Sequence, residues 1–173
     1  MRASDERNIP REEEASPGDE EGRVRLIIFR LQREWHALRA EEIREVVQRT
    51  QLTRVPNSPM AVVGIMNLRG RILLVFDLDC LLGLPQANEK ERPQVVILNL
   101  ADPEIDVGFL VDQVAQIRET SMGQLRDLST SELGEGKGAF FRGALYQEGL
   151  LIHLLNPAPI ISSLVPELEE AVG

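Results

Sequence analysis

Cysteine occurs once in this 173-residue chain, at Cys80. A single thiol excludes an internal disulfide framework and fits a reducing compartment. Aromatic residues make up only 4%, so a core must be built from Leu, Val and Ile, and the 43% apolar content suffices for one. Lysine is nearly missing: Lys90 and Lys137 are the whole complement, and arginine carries the rest of the positive charge. Arginine pairs bidentately with carboxylates, which suits protein interfaces, although a codon bias leaves the same mark. No run approaches the roughly 18 apolar residues that span a bilayer, and the N-terminus has no apolar signal core. The expectation is a cytoplasmic chain with no membrane insertion.

A basic surface is missing too. The net charge is −9, and most of it lies at the ends. Residues 1–22 hold three arginines against eight acidic residues, and the last eight residues add three glutamates. Between them, residues 23–165 carry 16 basic and 17 acidic side chains. Nucleic acid binding needs clustered positive charge, so that partner class is set aside. Residues 1–22 have no apolar periodicity and read as a disordered acidic tail; residues 165–173 read as a second, shorter acidic tail.

What is present is organised around Val55–Leu84. Two apolar runs, Val62–Leu68 and Ile72–Phe76, are joined by Arg69-Gly70-Arg71, with Gly70 supplying turn angles that other residues resist. Pro56 and Pro59 fence the upstream side. Asp77 stands as the N-cap of a short helix closed by Gly83 and Pro85. Further strands are expected at Val24–Leu31, Trp35–Leu38, Gln94–Leu100, Ile105–Val111 and Gln113–Arg118. Ala40–Val47 begins with a helical pattern and Val46–Val55 turns extended. Gln86–Pro93 reads as a polar linker, Ser121–Leu128 as a short helix and Ser129–Lys137 as a loop. Phe140–Tyr146 and Gly149–Leu155 form a second hairpin, and Asn156-Pro157 opens a terminal helix.

The two hairpins superpose in sequence. Gly64–Asp77 lies without gaps over Gly143–Asn156 at an offset of 79, which aligns Gly64 with Gly143 and Gly70 with Gly149. Upstream, His36–Val46 lies over Val107–Ile117 at an offset of 71. The difference places about eight extra residues in the second half, and the 129–137 loop is where they are expected. An internal duplication follows, each copy of about five short strands, and short evenly spaced strands favour barrels. The expected fold is all-β: two fused five-stranded barrels with a few short helices, as lobes 23–92 and 93–164.

Chemistry-bearing motifs are weak. Phe76-Asp77-Leu78-Asp79 after a strand is the pattern of an aspartate-based, magnesium-dependent phosphatase, in which the first carboxylate attacks phosphorus and the second moves a proton. That chemistry also needs a lysine and more acidic ligands, so capping is the stronger reading of Asp77 and Asp79. The only histidines, His36 and His153, lie far apart, and no zinc-ligand spacing exists. Cys80 reads as a buried helix residue. No phosphate-binding loop or nucleophile elbow occurs. No catalytic residue, metal or cofactor is assigned. Ile43, Val46, Val47 and Val63 offer apolar area for either a core or a groove, and Glu45 can pair with Arg69.

The run Val55-Pro56, Pro59, Gly64-Ile65-Met66-Asn67-Leu68-Arg69-Gly70-Arg71, Phe76-Asp77-Leu78 and Leu82-Gly83-Leu84 resembles the hallmark of the CheW family of chemotaxis coupling proteins. Strand candidates around it fall in the family's order, so the resemblance covers roughly residues 23–164. It implies two SH3-like five-stranded barrels, no catalysis and no cofactor. It also implies an adaptor role between the cytoplasmic tips of methyl-accepting chemoreceptors and the regulatory domain of a CheA-type histidine kinase. Receptor contact would then fall in a groove between lobes near Ile43, Glu45, Gly64, Asn67 and Arg69, the kinase domain would abut barrel ends, and Val63 is a further candidate for the receptor or kinase interface. Pro56, Gly70, Asp77, Gly143 and Gly149 would shape the scaffold. The second hairpin ends in Asn156 rather than an aspartate, a departure outside the central motif. The competing readings are the phosphatase on Asp77 and Asp79 and a decoy of the same fold that binds kinase but not receptor.

Overall fold

The computed structural model describes residues 22–85, 92–101, 103–128, 130–133 and 135–172. The acidic leader and most of the 86–93 linker lie outside them. Ten strands are described: β1 (Arg23–Leu31), β2 (Glu34–Arg39), β3 (Ile43–Gln48), β4 (Val62–Leu68), β5 (Arg71–Asp77), β6 (Gln94–Leu98), β7 (Asp106–Val111), β8 (Gln113–Ser121), β9 (Phe141–Gln147) and β10 (Leu150–Leu155). Three helices accompany them: α1 (Leu78–Leu82), α2 (Thr130–Leu133) and α3 (Pro157–Val172).

The strands form two five-stranded sheets, ordered β8-β1-β2-β10-β9 and β3-β6-β7-β5-β4. This bears out two five-strand units but corrects their boundaries. The second sheet is contiguous in sequence, from β3 to β7, and is inserted between β2 and β8 of the first. A division at residue 92 matches the sequence repeats, not the sheets. Each repeat contributes two strands to one sheet and three to the other.

The duplication holds at the level of single residue pairs. Leu74 of β5 faces Val107 of β7 in a parallel pairing, and His153 of β10 faces His36 of β2 in the equivalent one. The two pairs correspond member by member, Leu74 to His153 at the offset of 79 and His36 to Val107 at the offset of 71 read from sequence. Likewise Val46 pairs with Val96, and Ile117 with Ile27. The parallel pairs β2/β10 and β5/β7 are the places where the repeats exchange strands.

Burial explains the unbroken apolar runs. Along β5, Leu73 and Val75 face the interior of their own sheet unit, while Leu74 and Phe76 face a second core shared with Phe29, Leu31 and Leu38 of the other unit. β6 divides the same way, with Val95 and Ile97 inward and Val96 and Leu98 toward the shared core. Strands covered on both faces lose polar alternation. Ile160 and Leu164 of α3 close the shared core. A third cluster, including Leu26, Ile28, Leu145 and Leu154, fills the first sheet unit.

Local expectations failed in four places. Ala40–Val47 is not helical beyond one 3-10 turn at Ala40–Glu42, where the Glu42 carboxylate accepts from the Arg39 N–H; β-branched Val46 and Val47 then favour strand β3. Ser121–Leu128 contains only a 3-10 turn at Met122–Gln124, with the Ser121 hydroxyl accepting from the Gly123 N–H. The 129–137 segment includes the four-residue α2. The expected tail after residue 164 is the end of α3, which runs to Val172.

Candidate interaction surface

The β4–β5 hairpin closes on Leu68 opposite Arg71, leaving Arg69 and Gly70 as a two-residue loop. Both have positive φ, 50° and 83°, the combination that matches the twist of paired strands. A non-glycine residue at φ 50° is held there by neighbours. The Asn67 Oδ1 accepts from the Gly70 N–H at 2.9 Å, and the Arg69 guanidinium donates twice to Glu45, both at 3.0 Å. Arg69 nevertheless remains 71% exposed.

Behind this tip lies Asp106, whose side chain is 1% exposed. It accepts two hydrogen bonds from Arg44 (2.8 and 3.1 Å) and two from Arg71 (3.0 and 3.1 Å). Those bonds hold its carboxyl down to about 2, and the bond from Arg69 lowers Glu45 as well. The Arg44 Nε stands 3.7 Å from Glu45, so the groups run Arg69–Glu45–Arg44–Asp106–Arg71 as one relay of alternating charge. Sequence reasoning found Glu45 and Arg69 but missed Arg44, Arg71 and Asp106. An acidic residue opening an apolar strand, Asp106-Val107-Gly108-Phe109, was the available signal.

Two open depressions share this hairpin. One, of about 370 Å³, is lined by Arg44, Glu45, Leu68, Arg69, Asn99 and Leu100, among others. The other, of about 430 Å³, is lined by Thr50, Gln51, Thr53, Ile65, Asn67 and Ile72. Ile72 is 56% exposed there. Every lining residue belongs to the β3–β7 unit. Both depressions therefore sit on one unit.

Of the six residues expected at an interface, Glu45, Asn67 and Arg69 are together at the tip. Ile43 and Val63 are core residues, 8% and 7% exposed. Gly64 is buried as well, and a Cβ there would meet the Thr53 carbonyl at 2.6 Å; its role is close backbone approach beside the Val62/Gly64 register shift. Gly143 repeats this against the Arg126 carbonyl at 2.7 Å. Gly70 and Gly149 (φ 78°) close the two hairpins. Pro56 opens a turn in which the Ser58 N–H donates to the Val55 carbonyl, with Asn57 at φ 58°.

Asp77 is the N-cap expected for α1: its side chain accepts from the Asp79 N–H at 2.9 Å, and Gly83 ends the helix at φ 73°. Asp79 is fully buried. Both carboxylates bond to Arg92, itself 2% exposed, which also reaches Asp112 at 2.8 Å. Gln32 adds a hydrogen bond to Asp79 from the β1–β2 turn at 2.6 Å. Burial pushes the Asp77 carboxyl above its usual range, with Arg92 opposing. The phosphatase reading is therefore withdrawn. A nucleophilic carboxylate needs an open face, whereas this pair is sealed against a buried cation, and Lys137 donates instead to the Leu81 carbonyl at 2.8 Å. Arg92, hidden at the end of a polar linker, ties the units together.

Comparison with known proteins accords with this geometry. A CheW-like domain matches residues 25–165. The chain is 30% identical to chemotaxis protein CheW of Thermotoga maritima over 139 residues, 80% of this chain and 88% of that one. It is also 30% identical to chemotaxis protein CheW of Rhizobium meliloti over 133 residues, 76% and 83% of the respective chains. In fold it resembles the scaffolding protein TtCheW from Thermoanaerobacter tengcongensis, with a TM-score of 0.68 at 22% identity, covering 79% of this chain and 86% of that one. With its matched span taking in both sheets and the Asn67-Leu68-Arg69-Gly70 tip, the chain belongs to the CheW-like family.

Proposed function

We propose that the chain is a non-enzymatic adaptor of a chemotaxis-type signalling pathway, joining methyl-accepting chemoreceptor tips to the regulatory domain of a CheA-type histidine kinase. The family match over residues 25–165 supports the adaptor role. The named partners rest on the resemblance of the central motif. The observation that carries the site is the β4–β5 tip, where an exposed arginine is held in one orientation by a bidentate carboxylate. A preorganised cationic fork beside two depressions can receive an acidic or amide-rich helical segment at low ordering cost.

Titrating the chain against the kinase regulatory domain and against a receptor tip fragment from the same genome tests this. Micromolar or tighter binding to both is expected. Kinase binding without receptor binding would favour the decoy. Failure to bind either would remove the coupling role and leave the fold.

A further inference from the structure

The two histidines that sequence separates are brought together as a direct register pair, His36 of β2 opposite His153 of β10. Their ring centroids are 5.3 Å apart. Glu34, two residues along β2, points to the same side, and the ligand atoms of Glu34, His36 and His153 all lie within 4.8 Å of one another. Together they line a small cavity of about 80 Å³, completed by Leu82, Leu84, Glu132, Leu133 and Phe141.

His36 is 1% exposed, and neither of its ring nitrogens has a hydrogen-bond partner. The Glu34 Oε2 stands 3.4 Å from the His36 Nε2, out of hydrogen-bonding alignment. The buried Nδ1 of His153 is also unpartnered, while that ring is hydrogen-bonded to the Trp35 main chain. Packing against Phe29 and Phe141 accounts for the position of the His36 ring but leaves its nitrogens unsatisfied. Buried polar atoms without partners are costly and rare in native proteins.

We propose that Glu34, His36 and His153 form a divalent metal site that binds zinc. Two imidazoles and one carboxylate suit zinc, at metal–ligand distances of about 2.0–2.2 Å. Modest rotation of the three side chains draws the ligand atoms inward, and the fourth position falls to water or to Glu132. The Trp35 main chain orients the His153 ring, as second-shell groups do at metal-bound histidines. The site is separate from the Arg69 tip. It links β2 of the first repeat to β10 of the second, so the ion would clamp one of the two exchanged pairings.

The test uses the full, untagged chain stripped with chelator, then titrated with zinc chloride by calorimetry and followed by thermal melting. One zinc per chain is expected, with a Tm rise of about 5–10 °C at hundredfold excess over Kd. Cobalt chloride should give the visible bands of a low-coordinate centre. Glu34→Gln changes a half-exposed residue, so it should leave the metal-free Tm unaltered while weakening zinc at least tenfold. His153→Gln should abolish both the binding and the Tm rise. Arg69→Ala should bind zinc as the parent does. Absence of stoichiometric zinc binding by the parent, or equal binding by Glu34→Gln and the parent, would overturn the site.

Discussion

The two hairpin tips of this molecule have one backbone and opposite chemistry. Arg69-Gly70 and Glu148-Gly149 occupy equivalent places and share positive φ at both residues. Each tip is pinned by an ion pair to the first strand of its three-strand group: Arg69 to Glu45 of β3, and Glu148 to Arg118 of β8. The polarity is reversed between them. Asn67 and Arg71 flank the first tip, whereas their positions are taken in the second repeat by Tyr146 (74% exposed) and Leu150 (38% exposed). Where Asp106 anchors the network behind the first tip, the equivalent position, behind the second tip, is Trp35. Duplication thus preserved the parts that main-chain geometry requires and released the parts that only solvent or a partner meets.

The seam between the repeats is also one-sided. Asp77 and Asp79 hold Arg92, but the equivalent positions are Asn156 and Ala158. Arg92→Met should therefore give the largest loss. It leaves buried carboxylates without their cation, at about 3–5 kcal/mol in chemical denaturation. A loss below about 1 kcal/mol would mean that the cluster does not join the units.

Next come the paired glycines. Gly64→Val and Gly143→Val each drive a Cβ into a carbonyl, and both should cost about 2–3 kcal/mol. Unequal costs would break the equivalence of the two approaches.

Asp106→Asn tests the network that only the first tip has, and about 1–2 kcal/mol is expected, at the low end because Arg44 and Arg71 are partly solvated. The same carboxylate predicts a pH response. Its folded pKa is depressed to about 2, so its contribution is full above the unfolded value near 3.9. It is lost as pH falls from about 4 toward 2. In the Asp106→Asn variant, that part of the acid destabilisation should vanish from Tm measured across the interval.

The smallest stability effects belong to the tips. Arg69→Ala and Glu148→Ala should each leave Tm within about 2 °C, because exposed pairs contribute little. They should differ in partner titration, with Arg69→Ala weakening receptor binding and Glu148→Ala leaving it unchanged. Equal effects on binding would place the contact elsewhere.

Much of this was legible in sequence. The hairpins, the Asp77 cap and both repeat offsets carry local signals: turn glycines, apolar runs and matched small residues. Sheet membership was not legible, because an offset reports which residues correspond, not which strands pair. That choice is made by the parallel pairings β5/β7 and β2/β10, which join distant segments without any local mark. The apolar pattern named Ile43 and Val63 without saying which face they take, and both side chains proved to be buried. Arg92 in a charged linker and His36 opposite His153 acquire meaning only when two distant segments meet.

The exchange of strands has a consequence for synthesis. The β3–β7 unit is continuous and can pair completely once Val111 has left the ribosome. β1 and β2 are made first, yet they have no full sheet until β8, β9 and β10 follow, and β2 meets its parallel partner only at Leu150–Leu155. The oldest segment must wait for nearly the youngest, which leaves an apolar hairpin unpaired for most of translation. Stalled chains ending at Asp112 should protect the amides of β3–β7 from exchange while those of β1 remain open. Equal protection of both would mean that the first hairpin has found another shelter.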